Sequence, residues 1–384
     1  MTKDIAVLDF GSGQVTALVG KRGAAGILDI TGRGEAEYAG FCDGAFLRPE
    51  LLSQAVSLAI TAAETAAGNK IKHLFIGVPA EFSTCVVREA SVSFGKKHKV
   101  IPADLENMYR QGDDFSYVAE GFTLVNRQPI YYSLDNDRRI IDPVGKTTTK
   151  LSGLMSYILA EHKFTYFVDN IMENLGVQTA EYVSSPLAEA MFLFGEQMRD
   201  TTAVLVDVGY ITSFVAVVRG DGLLALSSFS LGGGHIAGDL TRYFGISFSE
   251  AEALKRKAMI SLTPADDDVY EIRGKQFEAG LVNKIVSARL STIGRMIQKC
   301  LAACKYELPA GAFYGLTGGG VSYMRGAKEF LSQAAGKEFE AIAPPIPQME
   351  KPELSSSLGL LNMVLDADVP TKRKKEGFWG KLFK

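Results

Sequence analysis

The sequence predicts an α/β protein of two related halves, with a small α+β unit inserted in the first half. Three observations carry that expectation. Residues 5–20 and 202–220 each read strand, Asp-x-Gly turn, strand, one opening the chain and the other just past its middle. Around each, short apolar runs alternate with helical segments, the pattern of sheets with helices packed on them. Between them, residues 80–161 are denser in charge and break into short strands, unlike their surroundings.

In 202–220 (TAVLVDVGYITSFVAVVRG), valine and leucine supply strand residues on both sides of a turn at Asp207-Val208-Gly209-Tyr210. Gly209 lets backbone approach a ligand, Thr212 and Ser213 offer hydroxyls, and Asp207 can hold a hydrated divalent cation. In 5–20 (IAVLDFGSGQVTALVG), Asp9 answers Asp207 and Gly11 answers Gly209, while Ser12 and Thr16 stand near the places of Thr212 and Ser213. One Asp-x-Gly is ordinary hairpin chemistry. Two copies in corresponding places suit polyphosphate with Mg²⁺, one phosphate-binding hairpin per half.

The 384 residues are enough for two or more full cores. A hydrophobic share of 47% and a charged share of 22% are those of an ordinary globular chain, and a net charge of −3 gives no nucleic-acid signature. No apolar run approaches the roughly 20 residues needed to span a bilayer. The opening MTKDIAVLDF lacks a signal-peptide layout, so Cys42, Cys85, Cys300 and Cys304 are expected as thiols in a reducing cytoplasm. Cys300 and Cys304 can share a helix face, but nothing nearby completes a metal set. The four histidines are scattered, and none pairs with a nucleophile.

In chain order, 26–40 reads as a third strand, 48–68 as a helix with Pro49 in its first turn, and 73–79 as a short buried strand. In the insertion, 83–91 and 128–133 read as short strands and 102–111 as a capped helix. Residues 164–175 form a helix closed by Gly176, and 185–198 one further helix. After the second hairpin, a strand ends at Leu231, three glycines follow, and a helix starts near Ile236. The bare N–H groups and dipole of Gly233 and Gly234 suit phosphate oxygens. Residues 249–258 are helical, with Glu252 and Lys255 one turn apart, either a solvated ion pair or a grip on ribose or base. A long amphipathic helix, 277–305, carries Arg289 and Arg295. Gly318 and Gly319 follow a strand at 313–316 and let backbone lie flat against a nucleoside. Residues 355–365 form a last buried helix.

The end differs in kind. Lys372-Arg373-Lys374-Lys375 precede GFWGKLFK, where Phe378, Trp379, Leu382 and Phe383 fall on one side of a helix. A basic cluster before an aromatic amphipathic segment suits an anionic bilayer surface, at about 1 kcal/mol per cation. A disordered terminus or a tail docked on its own chain is the plainer alternative.

Together these motifs resemble the actin/Hsp70/sugar-kinase ATPases, and within them the bacterial cell-division FtsA family. The family's first phosphate loop is similar to Asp9–Gln14, its second to Asp207–Ser213, its A-E-x-x-K segment to Ala251–Lys255, and its adenosine loop to Leu316–Gly320. IPADLENMY at 101–109 and the Asp142-Pro143-Val144-Gly145 segment resemble that family's own inserted domain. Gln14, Tyr210-Ile211, Ala237 and Thr148 depart from the family pattern.

The resemblance implies an actin-like two-lobed ATPase fold of duplicated ribonuclease-H-like domains with an FtsA-type inserted domain. Residues 1–80 with 165–198 would be subdomain 1A, and 81–164 the inserted 1C. Residues 199–245 with 316–365 would be 2A, 246–315 would be 2B, and 366–384 a linker and membrane-targeting tail. It implies ATP and Mg²⁺ as cofactors, with weak or no hydrolysis. Asp9, Gly11, Ser12, Gly13 and Gln14 would face the phosphates from one side, and Asp207, Gly209 and Thr212 from the other. Asp9 and Asp207 would hold the metal through water, Gly233 and Gly234 would complete the cradle, and Glu252, Lys255, Gly318 and Gly319 would contact the nucleoside. Arg289 would meet the C-terminal tail of FtsZ. The implied partners are FtsZ, further copies of this chain in a filament, anionic lipids and other division proteins, on the cytoplasmic face of the membrane at the division site. The rival readings are an adaptor of a pilus, secretion or plasmid-segregation system, and a small-molecule kinase of the same superfamily.

Overall fold

The computed structural model describes residues 4–23, 26–112, 121–135 and 139–368. The basic and aromatic segment with Phe378, Trp379, Leu382 and Phe383 lies outside the described residues.

β1 (Ile5–Phe10) is buried along its whole length because both faces of its sheet are covered. Ala6, Leu8 and Phe10 enter one core cluster, while Ile5 and Val7 enter another on the opposite face. β2 (Gln14–Arg22) and β3 (Leu28–Glu37) follow antiparallel. A two-residue ribbon, β4 (Phe41–Cys42) and β5 (Ala45–Phe46), leads into α1 (Pro49–Ala67), which ends at Gly68 in the left-handed conformation, and then β6 (His73–Val78).

The inserted unit comprises β7 (Ser83–Lys99), α2 (Pro102–Gly112), β8 (Phe122–Ser133), β9 (Arg139–Ile140) and β10 (Thr147–Glu161). Its sheet has the order β7-β10-β8-β9 and a core of its own around Met108, Met155 and Tyr157. β7 and β8 run well beyond the short strands expected here. The outer end of β7, with Gly95, Lys96 and Lys97, stands largely in solvent, so the apolar alternation that marks a half-buried strand fades there.

α3 (His162–Leu175), β11 (Gln178–Ser184), α4 (Ser185–Leu193) and α5 (Glu196–Thr201) close the first half. The single helix expected over 185–198 is two, separated by the extended Phe194 and Gly195. The second half runs β12 (Ala203–Val208), β13 (Ser213–Arg219), β14 (Gly222–Phe229), α6 (Gly233–Phe244), α7 (Phe248–Lys257), β15 (Val269–Ile272), β16 (Lys275–Glu278) and α8 (Ala279–Ala303). It finishes with β17 (Phe313–Thr317), α9 (Ala327–Ala335), β18 (Glu340–Ala341) and α10 (Ser355–Asp368). α6 starts three residues earlier than expected, at the second of its glycines.

The duplication is explicit in the topology. The first sheet has the order β11-β6-β1-β2-β3 and the second β14-β13-β12-β17-β18. Each central strand pairs antiparallel with the next strand in sequence and parallel with a later strand, β6 after α1 in the first half and β17 after α8 in the second. The two halves then exchange helices. α4, which follows the last strand of the first half, packs against β13, and α10, which ends the second, packs on β1 and β2. Residues 355–365, expected with the second half, therefore place Leu358, Leu360, Leu361 and Val364 in the core of the first.

Candidate functional site

The two hairpin tips meet. The β1–β2 tip is turned by the Gly11 N–H donating to the Gln14 carbonyl (2.9 Å), and it presents Ser12 and Gly13. The β12–β13 tip presents Gly209, Tyr210, Ile211 and Thr212. The Ile211 N–H donates to Ser12 Oγ at 2.9 Å, a direct bond between the halves. A Cβ on Gly13 would lie 2.7 Å from Tyr210 Cδ1, and one on Gly40 would lie 2.7 Å from Ile211 Cδ1.

Behind the tips stand three acids. Asp9 is buried, and its Oδ1 accepts from the Ser185 hydroxyl at 2.8 Å. Burial raises its pKa against that bond. Asp207 is pushed up to about 7, chiefly by burial and also by the charge of Asp9, while the neighbouring Glu189 carboxyl works the other way. Glu189, on α4, is fully buried, and burial together with both aspartates drives it well above the ordinary carboxylate range. Three carboxyls, each raised chiefly by burial, form a site where a cation is favourable. Among the described residues, no three Asp, Glu, His or Cys side chains converge closely enough to hold a metal directly. The acids therefore fit a cation met through water, and the N–H groups of Ser12, Gly13, Gly209 and Tyr210, which make no hydrogen bond among the described residues, fit an anion beside it.

Glu189 was not singled out from the sequence. The available signal was one acid inside the apolar run Pro186-Leu187-Ala188-Glu189-Ala190-Met191, whose neighbours Leu187, Ala188 and Ala190 are fully buried.

The glycine turns differ from the sequence expectation in what they contact. The Gly233 N–H donates to the Gly209 carbonyl (2.9 Å) and the Gly234 N–H to the Tyr210 carbonyl (2.7 Å), so neither is free for a phosphate. The Gly320 N–H donates to the Val208 carbonyl at 2.8 Å. A Cβ on Gly233 would lie 2.1 Å from the Gly320 carbonyl oxygen, and one on Gly318, at φ +94°, 2.5 Å from Asp207 Oδ1. Three turns thus pack backbone against backbone under the second tip, and that contact alone requires glycine. Gly319 faces Glu353 on the outer side.

Lys255 is buried, not solvated. Its Nζ donates to the Gly233 carbonyl (3.0 Å) and to Glu252 Oε1 (2.8 Å), and lies 5.8 Å from the Tyr210 ring centre and 5.6 Å from that of Tyr323. Burial lowers its pKa while Glu252 opposes the fall. The structure thus gathers Asp9, Gly11, Ser12, Gly13 and Gln14, Asp207, Gly209 and Thr212, Gly233 and Gly234, Glu252 and Lys255, and Gly318 at one crevice.

Arg289 belongs elsewhere. From α8 it makes a two-pronged ion pair with Asp239 of α6, Nε at 2.7 Å and a terminal nitrogen at 2.8 Å. Beside that pair lies a hollow of about 420 Å³ lined by Asp239, Arg242, Tyr243 and Ile285. Tyr243 is exposed.

Known proteins align with this geometry. The family model for Cell division protein FtsA matches residues 204–359. Cell division protein FtsA of Neisseria meningitidis is 23% identical over 95% of this chain and 92% of its own length. That of Rhizobium meliloti is 23% identical over 98% and 91%. Among solved structures, a PilM-PilN type IV pilus biogenesis complex superposes with a TM-score of 0.66 at 16% identity, over 95% of this chain and 99% of that one. MreB 5 of Spiroplasma citri bound to AMPPNP gives 0.53 at 11% identity, over 94% and 95%. The two-lobed fold is actin-like.

Proposed function

From the premise that this chain is a relative of the cell division protein FtsA built on an actin-like fold, we propose that it is a nucleotide-binding protein of the bacterial division machinery, acting at the inner face of the membrane. The observation that carries the nucleotide half is the convergence of Asp9, Glu189 and Asp207 behind two contacting hairpin tips from opposite halves. Mg-ATP, when bound, supplies a cation for those acids and phosphate oxygens for the tip N–H groups. Asp9 and Asp207 hold the hydrated cation; Ser12, Gly13 and Gly209 face the phosphates; Lys255 and Glu252 flank the nucleoside. Because the tips belong to different lobes, binding there fixes the angle between them and so the surface offered to a second copy in a filament.

The hollow beside the Arg289–Asp239 pair receives the C-terminal tail of FtsZ, with Tyr243 and Ile285 as its apolar floor. The basic aromatic tail binds anionic lipid, weakly as one copy and strongly as a filament. Other division proteins then assemble on the membrane-bound array.

A single reconstitution tests this. The full chain with Mg-ATP is expected to bring FtsZ down with anionic liposomes. A chain lacking residues 377–384 leaves FtsZ in solution, and Asp207→Ala loses the dependence on ATP. Recruitment that persists without the tail would remove the membrane half, and ATP-independent recruitment by the full chain would remove the nucleotide half.

A further inference from the structure

The second tip carries Tyr210-Ile211 where the crevice would be widest with small residues, and both side chains reach the opposite lobe. The Tyr210 ring lies against Gly13, with Cδ1 2.7 Å and Cγ 3.2 Å from where a Cβ would stand. Its far end reaches Gly234, with Cζ 3.1 Å and Cε1 3.2 Å from the corresponding point there. Gly13 tops the first tip and Gly234 lies in the first turn of α6, so one ring spans the gap between the lobes that a phosphate chain would have to enter. Ile211 reaches Gly40 of the first half, and its N–H is held by Ser12 Oγ. The ring's outer side meets Phe248 edge-on at 6.3 Å between centroids. Tyr210 is nevertheless partly exposed, at 36% of its surface, so it has room to swing outward.

We propose that Tyr210 and Ile211 form a latch that closes the crevice by protein contacts alone, and that a nucleoside di- or triphosphate binds by displacing the Tyr210 ring. The closed latch stands on these contacts; its displacement rests on the nucleotide reading. Its physical content is competition. A ring packed against Gly13 and Gly234 and a phosphate chain cannot occupy the same space between the first tip and α6. The displaced ring keeps a partner in Phe248, and Lys255, 5.8 Å from its centre, gains a clear line to the phosphates. The latch therefore trades lobe closure by protein for lobe closure by nucleotide.

Two measurements on the full chain test it. Hydrogen exchange without nucleotide should be faster in Tyr210→Gly across residues 9–14 and 207–213, and unchanged in Tyr210→Phe, which keeps the ring. Ile211→Gly should loosen the same segments, and serves if Tyr210→Gly folds poorly. By calorimetry, Tyr210→Gly should bind Mg-ATP about tenfold more tightly than the unaltered chain, equivalent to about 1.4 kcal/mol of competing contact removed. Unchanged exchange in both glycine variants overturns the latch. Weaker Mg-ATP binding in Tyr210→Gly overturns displacement, since the ring would then be packing on the nucleotide. Faster exchange with no Mg-ATP binding by any of the proteins leaves the latch standing, and overturns displacement together with the nucleotide reading.

Discussion

The two lobes share one sheet order and one hairpin at the centre of each, yet their closing helices are not equivalent. α4 and α10 each follow the last strand of their sheet, each opens on serine, and each crosses to pack on the other lobe. Aligned on their contact, where Gly359 meets Ala188, Leu187-Ala188-Glu189 of α4 answers Leu358-Gly359-Leu360 of α10. The helices touch at that point, because a Cβ on Gly359 would lie 2.8 Å from the Ala188 carbonyl oxygen and from Glu189 Cα. One residue further on, the symmetry breaks. α10 places Leu360 in an apolar core, and α4 places Glu189 beside Asp9 and Asp207. A duplicated scaffold holds the lobes together symmetrically, while a single leucine-to-acid difference makes the crevice chemically one-sided.

The crossing is where the comparison is easiest to break. Gly359→Val puts a branched side chain against backbone atoms that cannot rotate away, and is expected to cost about 3 kcal/mol. Denaturant unfolding reads this directly. A loss below about 0.5 kcal/mol, the scale of ordinary surface changes, would mean the helices do not bear on each other there.

Restoring symmetry at the next position should act in the opposite direction. Glu189→Leu replaces a buried carboxyl, without a hydrogen-bond partner by ordinary distance and angle, with the residue its counterpart helix uses. The chain without added cation should gain about 2 kcal/mol, as buried polar groups exchanged for apolar ones often do. Added Mg-ATP should stabilise this variant less than the unaltered chain. Destabilisation by Glu189→Leu would show that the acid is already satisfied by its surroundings and that the asymmetry is structural.

How much of this was legible in the sequence follows from what each residue contacts. The paired hairpins were readable because a strand buried on both faces needs an unbroken apolar run, and Asp9 and Asp207 interrupt theirs at matching places. The three-glycine turns were also readable as turns. Their use was not, because a glycine admits neighbouring backbone and ligand equally well, and only coordinates reveal that Gly233 and Gly320 press on each other. Glu189 escaped notice because a single acid in an alanine-rich helix is normally on the wet face. The return of α10 to the first lobe is a matter of topology, and no local pattern in Ser355–Asp368 encodes which sheet it covers.

The lobes differ last in how their edge strands are treated, and the effect expected there is the smallest. β18 leaves Glu340 and Ala341 exposed, whereas β11 is covered by β8 of the inserted unit, with the Ser184 N–H donating to Asn126 Oδ1 at 2.7 Å. Between β8 and β11 a cavity of about 140 Å³ takes in Glu181, and burial raises its carboxyl from 4.5 to about 7. A carboxyl raised in the folded state favours folding fully below its unfolded pKa, and that contribution is lost as pH climbs through the folded value. Stability tied to the β8–β11 seam should therefore fall between about pH 5 and pH 8, by about 1 kcal/mol once the group's partial exposure is allowed for. Glu181→Gln carries no charge to bury, so it should flatten that slope and leave the variant the more stable protein at pH 8. Thermal unfolding at pH 5 and pH 8 compares them. Parallel pH slopes in the two proteins would mean that the inserted unit does not keep water from β11, and that the covered edge differs from the open one in geometry only.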